Sequence, residues 1–160
     1  MFRFFKTPLG LSAALVLGLY GAGAFAHGDV TPHPIDTTGL PKLGQDVVLP
    51  NPYRGNEKAE EIGAEGYLHN CAGCHGLNAA SGGMAPDVRA MGKDCLSKPK
   101  DDQADCMKDN DDYFHDIVLH GKKNSEGRYT MPAYGEVFTQ EAVWAVKAYI
   151  DKKTVEAVAK

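Results

Sequence analysis

The stretch His69-Asn70-Cys71-Ala72-Gly73-Cys74-His75-Gly76 constrains this chain more than any other part of it. Two thiols stand three residues apart, and an imidazole follows the second directly. A redox-active disulfide, a zinc site and a covalently attached haem all begin this way. A redox Cys-x-x-Cys follows a strand in a βαβ pattern and needs no histidine after it. Here the residues before Cys71 have helical spacing, in a chain with no strand-rich segment and no internal repeat. Zinc held by Cys71, Cys74, Cys95 and Cys106 is formally allowed by spacing. It would leave the glycine-rich Gly76–Asp87 turn and the Thr130-Met131-Pro132-Ala133-Tyr134 stretch without a role.

Cys-x-x-Cys-His is the attachment signal for haem c. Two thiols three apart on a helical turn reach the two vinyl groups of one porphyrin. His75 then falls under the iron as the proximal axial ligand, and thioether bonds keep the group from dissociating. The sixth position needs a ligand or stays open. The candidates are Met84, Met91, Met107 and Met131, or His69, His115 and His120. Met131 is favoured: Pro132 follows it, it lies in a loop before the last helical segment, and 56 residues separate it from His75. A thioether there raises the potential and blocks exogenous ligands. An open position would instead describe a haem protein that binds ligands, and the plain alternative for any methionine is core filler.

The first residues read as an export signal. Arg3 and Lys6 precede an uncharged apolar run from Leu9, and Ala24-Phe25-Ala26 supplies small residues for cleavage. Residues 1–26 are therefore expected to be removed, which places the mature chain in a bacterial periplasm with no membrane insertion. The rival is an uncleaved anchor, since 18 uncharged residues are just enough to span a bilayer. Loss of Arg3 and Lys6 takes the formal charge from −4 to −6. That balance argues against nucleic acid or an anionic membrane surface as partner. It suits a carrier that docks on a positive patch.

Within the 160 residues, 27–55 hold five prolines and read as an extended arm packed on the domain. Asn56 is a good N-cap for a first helix that carries Ala59, Ile62, Gly63, Tyr67 and Leu68 on one face. Pro86 is expected to open a short helix through Met91. Residues 93–112 form a polar, acidic insert, followed by a helix over about 111–120 and a long loop. Thr139 caps a last helix that ends near 153, leaving 154–160 as a tail. The domain proper is then 56–153, and the fold class is all-α, with about four helices around one covalent haem and the first and last crossing.

In an oxidising compartment Cys95 and Cys106, left over from the motif, are expected to pair as a disulfide that closes the insert. Asp109-Asn110-Asp111-Asp112 lacks an EF-hand pattern and reads as a solvated acidic face rather than a calcium site. His27 and His33 read as part of the arm rather than a copper site. Arg54, Tyr53, Arg89 and Arg128 are candidate donors to haem propionates, and Trp144 reads as core.

With these residues in hand, the chain resembles the small single-haem bacterial cytochromes c of class I over about 56–152. Gly63, Tyr67, Cys71, Cys74 and His75 match the family's first-helix pattern, and Val146 and Tyr149 match the facing positions of its last helix. The resemblance implies that Gly63 allows a close helix crossing. It also implies that the Pro86 carbonyl accepts the ring N–H of His75, and that Met131 is the methionine ligand. The segments "NPYRGN", "NCAGCHGLNAASGGMAPDVR" and "TMPAYGEVFTQEAVWAVKAYI" look like the periplasmic cytochromes c-550 that accept electrons from PQQ-dependent alcohol or methanol dehydrogenases. That likeness implies a non-enzymatic electron carrier with such a dehydrogenase as donor and an oxidase or another cytochrome as acceptor. A membrane-anchored subunit of an oxidase or dehydrogenase complex is the alternative.

Overall fold

The computed structural model describes residues 31–160, so the expected export signal over 1–26 and His27 lie outside the described residues. The order is α1 (Glu57–Asn70), α2 (Ala72–His75), a 3-10 turn (Leu77–Ala79), α3 (Ala90–Leu96), α4 (Lys100–His120), β1 (Lys122–Lys123), β2 (Tyr129–Met131) and α5 (Gln140–Val158). It is an all-α domain with one small antiparallel ribbon.

α1 starts where its chemistry says it should. The Asn56 side chain accepts a hydrogen bond from the Ala59 amide at 3.0 Å, and Glu57 and Glu60 lie in the positive first turn. α5 starts the same way, with the Thr139 hydroxyl accepting from the Ala142 amide. The two helices cross at Gly63. A Cβ built there would stand 1.9 Å from the Ala145 carbonyl oxygen, so only glycine permits this approach. Val143, Trp144 and Val146 of α5 are almost fully buried beside the crossing. Burial of side chains of this size contributes about 1.5–3 kcal/mol each.

The arm is wired to α5 rather than floating. Leu43 N–H donates to Glu141 Oε1 and Val48 N–H to Gln140 Oε1, at 3.0 and 2.7 Å. Asn51 Nδ2 donates to the Trp144 carbonyl, and Leu40 and Tyr53 join the core. Ile35 fills the space that a side chain on Gly66 would need.

The acidic insert is not a loop. It forms the C-terminal part of α3, a tight turn and most of α4, a 21-residue helix. Asp101 and Asp102 sit in its first turn, where a helix favours negative charge. Its inward face includes Asn110, Asp111 and Val118, all buried. Two polar residues on that face break the apolar periodicity, which is why the sequence reading starts the helix only near 111. The Cys95–Cys106 disulfide ties α3 to α4 across a Cα separation of 5.5 Å. The short helix begins at Ala90, not at Pro86, and α5 continues to Val158 instead of ending near 153. In that last stretch Thr154, itself buried, donates its hydroxyl to the Ile150 carbonyl and the helix meets no breaker.

Asp111 is the polar centre of the fold. Its carboxylate takes two contacts from Arg54 Nη2, at 2.6 and 2.8 Å, and one from the Asn51 amide at 2.9 Å. Lys147 of α5, also buried, lies 3.1 Å away and bonds Asp151, which Arg54 Nε reaches at 2.9 Å. Two cations and two carboxylates thus join the arm, α4 and α5. Among the described residues no buried side-chain polar atom lacks a partner.

Candidate cofactor-attachment site

α1 delivers the motif. The Cys71 amide closes its last turn by donating to the Tyr67 carbonyl at 2.8 Å. A second short turn, α2, then carries Ala72 to His75, with the Cys74 and His75 amides donating to the Cys71 carbonyl. Neither Cys71 nor Cys74 is in a disulfide. Burial, with Cys74 nearby, pushes the Cys71 thiol up to about 12.

His75 Nδ1 lies 2.9 Å from the carbonyl oxygen of Pro86. A carbonyl can only accept, so Nδ1 carries the proton and Nε2 presents its lone pair. This is the tautomer that an axial metal ligand requires, and the bond also fixes the ring orientation. Gly76, at φ 79°, turns the chain away directly after His75, and a Cβ there would meet the Ala80 carbonyl at 1.9 Å. The Tyr67 hydroxyl donates to the Gly76 carbonyl at 2.9 Å and so braces the same turn. Two thiols on one helical turn, followed by an oriented imidazole, fit a group bound by two thioethers and one iron–nitrogen bond.

The Met131 stretch lies in β2 and not in a plain loop. Lys122 pairs with Met131 and Lys123 with Tyr129, with an irregularity between them. Asn124 makes the tip, its side chain accepting from the Glu126 and Arg128 amides, and Gly127 takes a positive φ. Met131 is half-buried against the core. The end of α4 holds the residues after it. The Tyr134 and Gly135 amides donate to the Val118 and Leu119 carbonyls, which are otherwise unpaired at a helix C-terminus. Gly121, at φ 69°, caps α4 so closely that a Cβ would stand 2.5 Å from the Met131 carbonyl oxygen.

Four of the other candidate ligands have surroundings of their own. Met84 is 74% exposed and Met91 40% exposed. His115 stacks on Trp144 with ring centroids 5.2 Å apart, and His120 is exposed beside Asp116. The candidate propionate donors are engaged as well. Arg54 grips Asp111 and Asp151, Tyr53 donates to the Pro41 carbonyl, Arg89 pairs with Asp87, and Arg128 pairs with Glu126. Asp111 takes no part in an open acidic site, because cations already occupy its oxygens. Among the described residues no group of three or more potential ligands is arranged for a bare metal ion.

Sequence reasoning missed Tyr134. Its hydroxyl, 4% exposed as a residue, donates to the Asn70 carbonyl at 2.7 Å. The only signal was an aromatic three residues past Met131.

Residues 58–150 match the family described as cytochrome c oxidase, cbb3-type, subunit III. The chain is 38% identical to cytochrome c550 of Pseudomonas aeruginosa over 137 residues, which cover 83% of this chain and 85% of that protein. It is 29% identical over 120 residues to the quinohemoprotein alcohol dehydrogenase ADH-IIG of Pseudomonas putida, and 26% identical over 108 residues to ADH IIB of the same species. Those matches cover 72% and 68% of this chain but only 14% and 13% of the two dehydrogenases. No solved structure gives a significant match.

Proposed function

This chain belongs to the c-type cytochrome family and is an electron-transfer protein with covalently bound haem c, and from that premise we propose that it is a periplasmic carrier that takes electrons from a PQQ-dependent alcohol dehydrogenase. In this reading Cys71 and Cys74 form the thioethers, His75 is the proximal ligand and Met131 the distal one. An oxidase or a further cytochrome receives the electron. Residues 1–26 direct export and are removed.

The observation that carries the ligand assignment is the 2.9 Å bond from His75 Nδ1 to the Pro86 carbonyl, directly after the paired thiols. Haem supplies a reversible one-electron couple when bound. The chain's own residues do the rest. Pro86 sets the imidazole's tautomer, and the α4 terminus fixes the segment that carries Met131. Ligands held in one place in both oxidation states need little rearrangement when an electron arrives. No catalytic side chain is required, because a partner needs only to approach the haem.

Two observations support the donor. The likeness to cytochrome c550 spans most of both chains. A domain like this one also matches a small part of two quinohemoprotein alcohol dehydrogenases, so this design occurs in proteins that oxidise alcohols. The test is anaerobic mixing of the oxidised protein with a PQQ-dependent alcohol dehydrogenase and its alcohol, followed at the haem bands. Fast reduction that slows with salt supports the donor and electrostatic docking. Absence of reduction, with an intact visible spectrum, removes this donor and leaves the carrier.

The oxidase-subunit description of the matching family favours a second reading, in which the chain serves a membrane complex. No helix among the described residues is long and apolar enough to cross a membrane. Residues 1–26 are the candidate anchor in this reading, and the mass of the exported protein decides whether they remain.

A further inference from the structure

We propose that Tyr134 is a positioning residue that locks the Met131 segment to the haem-attachment turn through its hydrogen bond to the Asn70 carbonyl, and so keeps the distal ligand in place. The proposal rests on the reading of Met131 as that ligand.

The geometry is specific. Asn70 is the residue before Cys71, and its carbonyl belongs to the last turn of α1. The Tyr134 hydroxyl reaches it at 2.7 Å in a buried setting, 64 residues along the chain. The Tyr134 amide donates to the Val118 carbonyl at 2.9 Å. One residue therefore fastens the chain three positions after Met131 to both α4 and α1. The ring is held too, packed 4.8 Å from the Phe138 ring.

The acceptor end is equally fixed. The Asn70 side chain accepts from the His33 amide at 2.8 Å and donates to the His33 and Gly66 carbonyls at 3.2 and 3.0 Å. Asn70 is thus held by the arm and by its own helix, and cannot follow Tyr134 if Tyr134 moves. Burial pushes the Tyr134 hydroxyl above its ordinary range, so it remains a donor at any working pH. The Asn70 carbonyl would be left buried without this partner, which makes the bond costly to break.

A purely structural tyrosine would lower global stability and nothing else. A positioning tyrosine controls how often the methionine leaves the iron. The test is Tyr134→Phe in the haem-loaded protein, which removes one hydroxyl and keeps the ring. The ferric variant should retain covalent haem and the weak far-red sulfur–iron band. The ferrous variant should bind carbon monoxide about tenfold faster than wild type, the worth of one buried hydrogen bond. In denaturant its far-red band should vanish before the helical signal does.

Phe138→Leu is the control. It loosens the same cluster without touching the hydroxyl, and should move both transitions together. Carbon monoxide binding at the wild-type rate in Tyr134→Phe, with both transitions still coincident, overturns the proposal. A wild-type protein without the far-red band, or a Met131→Ala variant that keeps it, overturns the Met131 reading and this inference with it. If Tyr134→Phe does not mature, hydrogen exchange on the wild type decides. The Tyr134 and Gly135 amides should open at the denaturant concentration where the band disappears, and continued protection beyond that point would refute the role.

Discussion

Gly63 and Ala145 touch backbone to backbone. The hydrogen of Gly63 occupies a space in which a methyl group would stand 1.9 Å from the Ala145 carbonyl oxygen. Neither neighbour is a flexible side chain, so a larger residue must push α1 and α5 apart. Gly63→Ala should cost about 1–3 kcal/mol, the usual range for overpacking. The check is the denaturant midpoint, with an unchanged slope. A wild-type midpoint would mean that the crossing relaxes freely.

Asp111 joins Arg54 and Lys147 at the junction of the arm, α4 and α5. Asp111→Asn removes one carboxylate from a set in which Asp111, Asp151 and Lys147 are buried and Arg54 is partly exposed, and leaves Lys147 with Asp151 alone. Breaking a buried pair from one side costs about 3–5 kcal/mol. Equilibrium unfolding should show a loss near that range, while Arg54→Ala, at a more exposed position, should cost less. Equal small losses would show that water already screens the network.

Asp87 follows the proline that holds His75. Hydrogen bonds from the Arg89 side chain and amide hold its carboxyl down at about 2, against an ordinary 3.8. The folded form therefore has the lower pKa, and the stabilisation is fully present above the ordinary value. It is lost as the pH falls from about 4 to about 2. Stability measured across that window should fall more steeply in wild type than in Asp87→Asn. Parallel curves would remove Asp87 from the acid response.

Met131 is the residue proposed as the distal ligand. The ferric wild type should show the far-red sulfur–iron band, and Met131→Ala should lose it and bind cyanide or carbon monoxide readily. A variant that remains closed to both ligands would reassign the sixth position.

Much of this was legible along the chain. Asn56 and Thr139 announce helix starts because capping is local chemistry. The thiol spacing declares its own cofactor. Gly63 and Pro86 were readable only through resemblance, since nothing within either residue's neighbourhood states what lies opposite. α4 was misjudged for a physical reason. Asn110 and Asp111 face inward, and the buried charge of Asp111 is tolerable only beside Arg54 and Lys147, 57 and 36 positions away in sequence. Tyr134 was unreadable for the same reason, because its acceptor is a main-chain oxygen, which any residue could offer.

The disulfide has a consequence for how the protein is assembled. Four cysteines can pair in three ways, and two of the three tie Cys95 and Cys106 to the attachment motif instead of to each other. A chain oxidised at random would scramble its own cofactor site. The fold counters this by segregation. Cys71 and Cys74 share one turn at the end of α1, whereas Cys95 and Cys106 meet between two adjacent helices only 11 residues apart in sequence. The second pair needs only a short local hairpin of helices, α3 and α4, to meet. Sorting of sulfur thus follows from distance along the chain, and the acidic helix α4 supplies the frame on which the second pair meets.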